Sequence, residues 1–172
     1  MERDFNTYRA KDMSRSIDYL ETRPDIDMRR LAYCGFSLGA FWGPILTQVD
    51  GRFKASVLLL GGLSPWIPLP EVDAANYLPR NHTPTLMIGG RMDYMVPVES
   101  HQEPLIRLLA VGPQDKRLVV LNRGHWGEPL EDVIKEAVPW LDRYLGEVQT
   151  ARTSMKLRLA GSSNGIGLAA CF

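Results

Sequence analysis

A serine hydroxyl attacks a carbonyl only when a neighbouring base takes its proton and an acid holds that base in orientation. Three residues have the types and spacing for this chemistry. Ser37 lies in "LAYCGFSLGAFWGP", residues 31–44, between Gly35 and Gly39. Small residues two before and two after a serine suit a tight strand-to-helix turn, where the two backbones come too close for side chains. Asp93 follows the stretch "LMIGGRM" and His125 follows "LVVLNRG". Ser37 is thus the candidate nucleophile, Asp93 the acid and His125 the base of an acyl-transfer site.

Each residue also has a purely structural reading. Ser37 as a small residue at a packed turn would explain the glycines but not Asp93 or His125. Asp93 could cap the helix after Pro97, and His125 could be a loop histidine beside Trp126. Glu99 and Asp115 are rival acids, although Asp115 precedes its apolar run and would sit at the wrong end of a strand. His82, in a proline-rich loop, and His101, early in a helix, are expected at the surface. Three scattered histidines and two distant cysteines make no metal-ligand cluster, so neither metal nor cofactor is expected.

Positioning these residues requires strands that end together. Apolar residues at Met13, Ile17 and Leu20 predict a helix from Tyr8 to about Glu21, ending before Pro24. A strand over Arg30 to Cys34 and a helix over Leu38 to about Gln48 follow, with Gly43-Pro44 disturbing the latter. The continuous apolar runs Ala55–Leu60, Thr85–Gly90 and Arg117–Leu121 have the pattern of strands covered on both faces. Helical character over Glu99–Ala110 separates the last two runs, so the sheet is read as parallel. The last helix spans Leu130 to Leu145 with Pro139 inside it. Prolines 65, 68, 70 and 79 predict an extended surface loop over residues 62–84, near the mouth of the site. The fold class is therefore a three-layer α/β sandwich of about four parallel strands with helices on both faces. Ser37, Asp93 and His125 fall past the C-terminal ends of successive strands, where open α/β sheets build their sites.

With 172 residues the chain fits one domain. Its 20 basic and 20 acidic residues cancel, which argues against nucleic acid or an anionic membrane as partner and favours a small ester or peptide-like substrate. Cys34 and Cys171 lie far apart in sequence, which suggests a buried thiol rather than a disulfide. A charged N-terminus without an apolar core, and no apolar stretch near ~20 residues, lead to the expectation of a soluble, cytoplasmic protein.

The stretches "IDYLETRPDIDMRRLAYCGFSLGA", "FKASVLLLGGLS", "PTLMIGGRMDYMVPVES", "VVLNRGHW" and "WLDRYLG" resemble the C-terminal half of an α/β-hydrolase. The group of closest resemblance is the dienelactone hydrolase and prolyl oligopeptidase-like serine hydrolases. The order Ser, Asp, His is also the order those enzymes use. The resemblance implies Ser37 as nucleophile, Asp93 as acid, His125 as base, the Leu38 backbone amide as one oxyanion donor, and Gly35 and Gly39 as the glycines of the elbow. Dienelactone hydrolases proper carry cysteine at the nucleophile position, so serine here points to ester or amide cleavage.

The family fold has about eight strands with the nucleophile on the fifth, whereas here that strand comes first. The expected organisation is a hydrolase domain over residues 1–148 lacking its N-terminal strands, followed by a tail over 149–172 that is disordered or a junction segment. The second oxyanion donor of the family, from the loop after its third strand, would be missing. The strand Arg30–Cys34 would be left with an open edge suited to self-association. In the tail, Gly161, Gly165 and Gly167 resemble the glycine-rich opening of short-chain dehydrogenases, without room for a cofactor fold behind it. The reading is a serine hydrolase acting by acyl transfer. The alternative is a non-catalytic remnant that binds a partner through the open edge and the Pro65–Pro70 loop.

Overall fold

A strand covered on both faces reads as a nearly continuous apolar run, and residues 55–59 and 85–90 are two such runs at the centre of the sheet. The computed structural model describes residues 2–126, 130–147 and 166–171. A first helix, α1 (Glu2–Glu21), precedes β1 (Ile26–Phe36), and α2 (Leu38–Val49) leads to β2 (Ala55–Leu59). After a long connection come β3 (Thr85–Gly90), α3 (Glu103–Leu108), β4 (Lys116–Leu121), α4 (Leu130–Leu145) and β5 (Ile166–Cys171). The strands form one parallel sheet in the order β4-β3-β2-β1-β5.

Period-two alternation divides the sheet into two cores. On one face Leu31, Tyr33, Leu58 and Met87 pack with Met13 and Ile17 of α1, Ala40 and Leu46 of α2, and Leu105 of α3. On the other face Ala32, Ala55, Val57, Leu86 and Ile88 pack under Trp140 of α4, with Val133, Ala137 and Leu141 at the margin. The architecture is the expected three-layer α/β sandwich, with α4 the one helix among the described residues that covers the second face. Among the described residues, no helix is long and apolar enough to cross a membrane.

Four expectations change. Residues 166–171 form a fifth strand, so the tail is not disordered there. Leu31 to Cys34 pair in register with Leu168 to Cys171, because a parallel strand lacking a neighbour presents free N–H and C=O groups that another extended segment can satisfy. The edge of β1 expected to be open is thereby occupied within the chain. Cys34 and Cys171, distant in sequence, are register partners, and Cys34 is half-buried rather than buried. Gly167 lies inside this strand and not at a helix N-terminus; Gly161 and Gly165 lie outside the described residues.

The loop over residues 62–84 is also less extended than its prolines suggest. Pro70 opens the 3-10 turn Pro70–Val72, and Pro79 lies early in another, Leu78–Arg80, since the fixed φ of proline suits the first residues of such turns. Leu78 enters the core, and the Asn81 side chain donates to Pro44 O (2.8 Å) and Thr47 Oγ1 (2.9 Å), fastening the loop to α2.

Candidate active site

The turn between β1 and α2 is a single residue, Ser37, with φ 48° and ψ −106°. A non-glycine residue at positive φ costs about 1–3 kcal/mol and persists only where its surroundings fix it. Here the Ser37 N–H donates to Leu59 O at 2.8 Å, and Ser37 O accepts from Phe41 N at 3.1 Å. A Cβ on Gly35 would lie 2.6 Å from the carbonyl carbon and oxygen of Gly39 and 2.8 Å from Ala40 N, so only glycine fits. Tyr33, fully buried, donates its hydroxyl to Gly39 O at 2.7 Å and holds the start of α2 against β1. The elbow lifts the serine hydroxyl clear of the sheet edge. Leu38 opens α2, where the first N–H groups have no acceptor within the helix.

Asp93 follows β3, whose last residue, Gly90, lies against the backbone of the segment after β4. A Cβ on Gly90 would meet Arg123 O at 2.5 Å and Gly124 O at 2.8 Å. Arg123 O also accepts from Met92 N at 2.9 Å, which places the Asp93 and His125 loops side by side. Both side chains are buried. Asp93 Oδ1 accepts from the backbone N–H groups of Met95 (2.9 Å) and Val96 (3.0 Å), and Oδ2 lies 2.7 Å from His125 Nδ1. His125 Nε2 lies 2.9 Å from Ser37 Oγ. Ionised, a carboxylate only accepts, so in neutral His125 the proton sits on Nδ1 and the bare Nε2 faces the serine hydroxyl. Chemically, the arrangement can draw a proton from Ser37 Oγ while Asp93 steadies the imidazolium that forms.

The structure therefore brings Ser37, Asp93 and His125 together and leaves the rivals apart. Glu99 is exposed on the π-helical turn Val98–Gln102. Asp115, ahead of β4, accepts from the Tyr144 hydroxyl at 2.8 Å. His82 is exposed as expected, while His101 is half-buried with Nδ1 2.7 Å from Ser100 Oγ. Trp126 meets the His125 ring edge-on, centroids 5.0 Å apart.

One residue passed over in the sequence also shapes the site. Gln102, fully buried, donates through Nε2 to Val96 O (2.6 Å) and Gly90 O (3.4 Å), the two ends of the Asp93 loop. Its trace in the sequence is Gly89, where a Cβ would come within 1.7 Å of Gln102 Oε1. Beside the elbow, between the first turns of α1 and α2 and the loop after β2, opens a mostly apolar cavity of about 560 Å³.

No family model matches the chain. It is 29% identical over 148 residues to a cutinase of Thermobifida alba, covering 81% of this chain and 46% of that protein. It is 28% identical over 145 residues to a bis(hydroxyethyl) terephthalate hydrolase of Streptomyces coelicolor, covering 81% and 44%. The chain thus spans a little under half the length of these curated relatives. Among solved structures, a cold-adapted esterase from an Arctic intertidal metagenomic library superposes with a TM-score of 0.65 at 25% identity, covering 78% of this chain and 57% of that one. The parallel sheet, the strained serine elbow and the order of the site residues agree with these likenesses: the chain belongs to the α/β-hydrolase superfamily and carries part of its fold.

Proposed function

We propose that this chain cleaves esters by acyl transfer, with Ser37 as nucleophile, His125 as general base and acid, Asp93 as the acid that orients it, and the Leu38 N–H as an oxyanion donor. The observation that carries this reading is the unbroken relay Asp93–His125–Ser37, with contacts of 2.7 and 2.9 Å. His125 Nε2 takes the hydroxyl proton as Oγ adds to the ester carbonyl carbon, and the negative charge forms on the carbonyl oxygen. The Leu38 N–H, at the positive end of α2, stabilises that charge. The carbon–oxygen bond to the alcohol then breaks and the leaving oxygen takes the proton from Nε2. Water attacks the acyl-enzyme by the same route, giving the acid and free Ser37.

Ester is favoured over amide because one relative is named for hydrolysing an ester, bis(hydroxyethyl) terephthalate, and the similar solved structure at 25% identity is named as an esterase. With only the Leu38 amide assigned, turnover is expected about 10²–10³-fold below that of a site with two donors. The alternative of a binding module loses one of its two surfaces, because β5 occupies the edge of β1.

A fluorophosphonate probe, which reacts with activated serines, tests the proposal. Stoichiometric labelling of the folded chain and its loss in Ser37→Ala are expected. A folded chain that does not label, or a Ser37→Ala variant that labels equally, overturns it.

A further inference from the structure

Helix α1 runs antiparallel to β1, so its N-terminal turns stand at the same edge of the sheet as Ser37. There they face α2 across the cavity of about 560 Å³, within the ~300–1,000 Å³ of ordinary ligand sites. Leu38, next to the nucleophile, lines one side. Phe41 and Trp66, ring centroids 6.4 Å apart, line the floor with Trp42. Among the described residues, the one charged side chain in this lining is Arg9.

Arg9 is placed unusually for a cation. Its guanidinium carbon lies 3.1 Å from the centroid of the Trp42 ring and 3.7 Å from that of Phe5. The rings engage the guanidinium through its faces and leave the N–H groups on its perimeter, which neither ring can satisfy. Among the described residues no carboxylate comes within 4.0 Å of Arg9, in contrast to Arg23, Arg29, Arg52 and Arg117, each of which has an acidic partner. Asp12, one turn further along α1, borders a neighbouring cavity that Arg9 also lines and forms no ion pair with it. Partial burial pulls the Arg9 pKa below its usual range, the direction expected for a half-buried charge without an anion beside it.

We propose that this cavity is a subsite for an anionic group, and that the chain prefers esters whose acyl arm ends in a carboxylate, that is, hemiesters of short dicarboxylic acids. The inference rests on the serine-hydrolase reading. With the ester carbonyl at Ser37, the acyl arm runs past Leu38 and Phe41 to Arg9. From Leu38 to Trp42 is about one helical turn, ~6 Å along the axis, which suits a diacid of some four to six carbons. The carboxylate would complete a bidentate pair with the perimeter N–H groups, the geometry for which guanidinium is pre-organised. The stacked rings hold Arg9 in place beforehand, so little side-chain entropy is lost on binding.

The test is direct binding to the Ser37→Ala variant, read by tryptophan fluorescence, with monomethyl adipate and dimethyl adipate as probes. The monoester is expected to bind about tenfold tighter, as one charge-assisted contact allows. Arg9→Met should abolish that preference, while Arg9→Lys, which keeps the charge without the planar fork, should retain part of it. Equal binding of the two probes, or a preference that survives Arg9→Met, overturns the proposal. Should Arg9→Met fail to fold by circular dichroism, added salt decides: it must erode monoester binding and spare the diester, and equal erosion overturns it. Because the readout needs no nucleophile, it stands apart from fluorophosphonate labelling, whose failure would remove the hydrolase reading and leave the anion subsite intact.

Discussion

His125 presents one ring nitrogen to each of two oxygens, and Asp93 decides which nitrogen carries the proton. An asparagine at 93 could offer its NH₂ to Nδ1 and so favour the opposite tautomer, leaving Nε2 protonated and useless as a base. Asp93→Asn is therefore expected to cut ester hydrolysis on the order of 10³–10⁴-fold. Its fluorophosphonate labelling should slow in parallel, and an unchanged rate would move the acid's role elsewhere. At this scale the meeting of Ser37, Asp93 and His125 past neighbouring strand ends was legible in the sequence, because each follows an apolar run. Gln102 and Arg9 were not. Their significance depends on which backbone oxygens or aromatic rings come within reach after folding, and nothing local to "VESHQ" or "TYRAK" records that.

Among the elements, α1 matters beyond its packing on β1, because its first turns carry Phe5 and Arg9 to the site edge. It begins at Glu2, earlier than the expected Tyr8, and its first turns face a cavity rather than the core, where apolar periodicity leaves no trace. The helix is tied to the turn after α2 by Arg52, which reaches Asp18 (2.8 Å) and Glu21 (3.2 Å) of α1 and both oxygens of Asp50. Ser14 adds a hydrogen bond to Asp50 at 3.1 Å. The hydrogen bonds from Arg52 are the main cause holding the Asp50 carboxyl below its usual 3.8. A carboxyl depressed by folding stabilises the native state above its unfolded pKa, and this contribution is lost as pH falls through the native value. Asp50→Asn is thus expected to destabilise the fold at pH 7 by about 1–3 kcal/mol. In urea unfolding the gap between variant and wild type should close as pH drops below about 4. A gap independent of pH would show that charge is not what Asp50 contributes. The strands β2, β3 and β4 were legible within a residue, β2 and β3 because burial on both faces keeps them nearly all apolar and β4 from its apolar half, residues 118–121. The connection over residues 62–84 was misjudged because proline excludes long helices and strands but accommodates 3-10 turns.

At the scale of the whole molecule, the sheet extends past β1 to β5, which becomes its edge strand and which the sequence did not reveal. Its Gly167 is a poor strand former, and its strand form depends on the edge that β1 offers rather than on local propensity. Removing residues 166–172 should re-expose the apolar edge of β1 and make the protein self-associate with rising concentration in sedimentation velocity. A variant that stays monomeric would show that the edge is protected in another way.

The pairing of β1 with β5 also sets an order in time. Cys34 and Cys171 meet across more than a hundred intervening residues, whereas the neighbouring pairs of β1, β2, β3 and β4 close over much shorter stretches. Contacts so distant in sequence form slowly, because chain closure must precede any gain from them. During synthesis, β1 to β4 together with Ser37, Asp93 and His125 are all made before β5 exists. In that interval β1 of one nascent chain can accept β5 of another, which makes strand exchange between copies the characteristic misassembly of this fold.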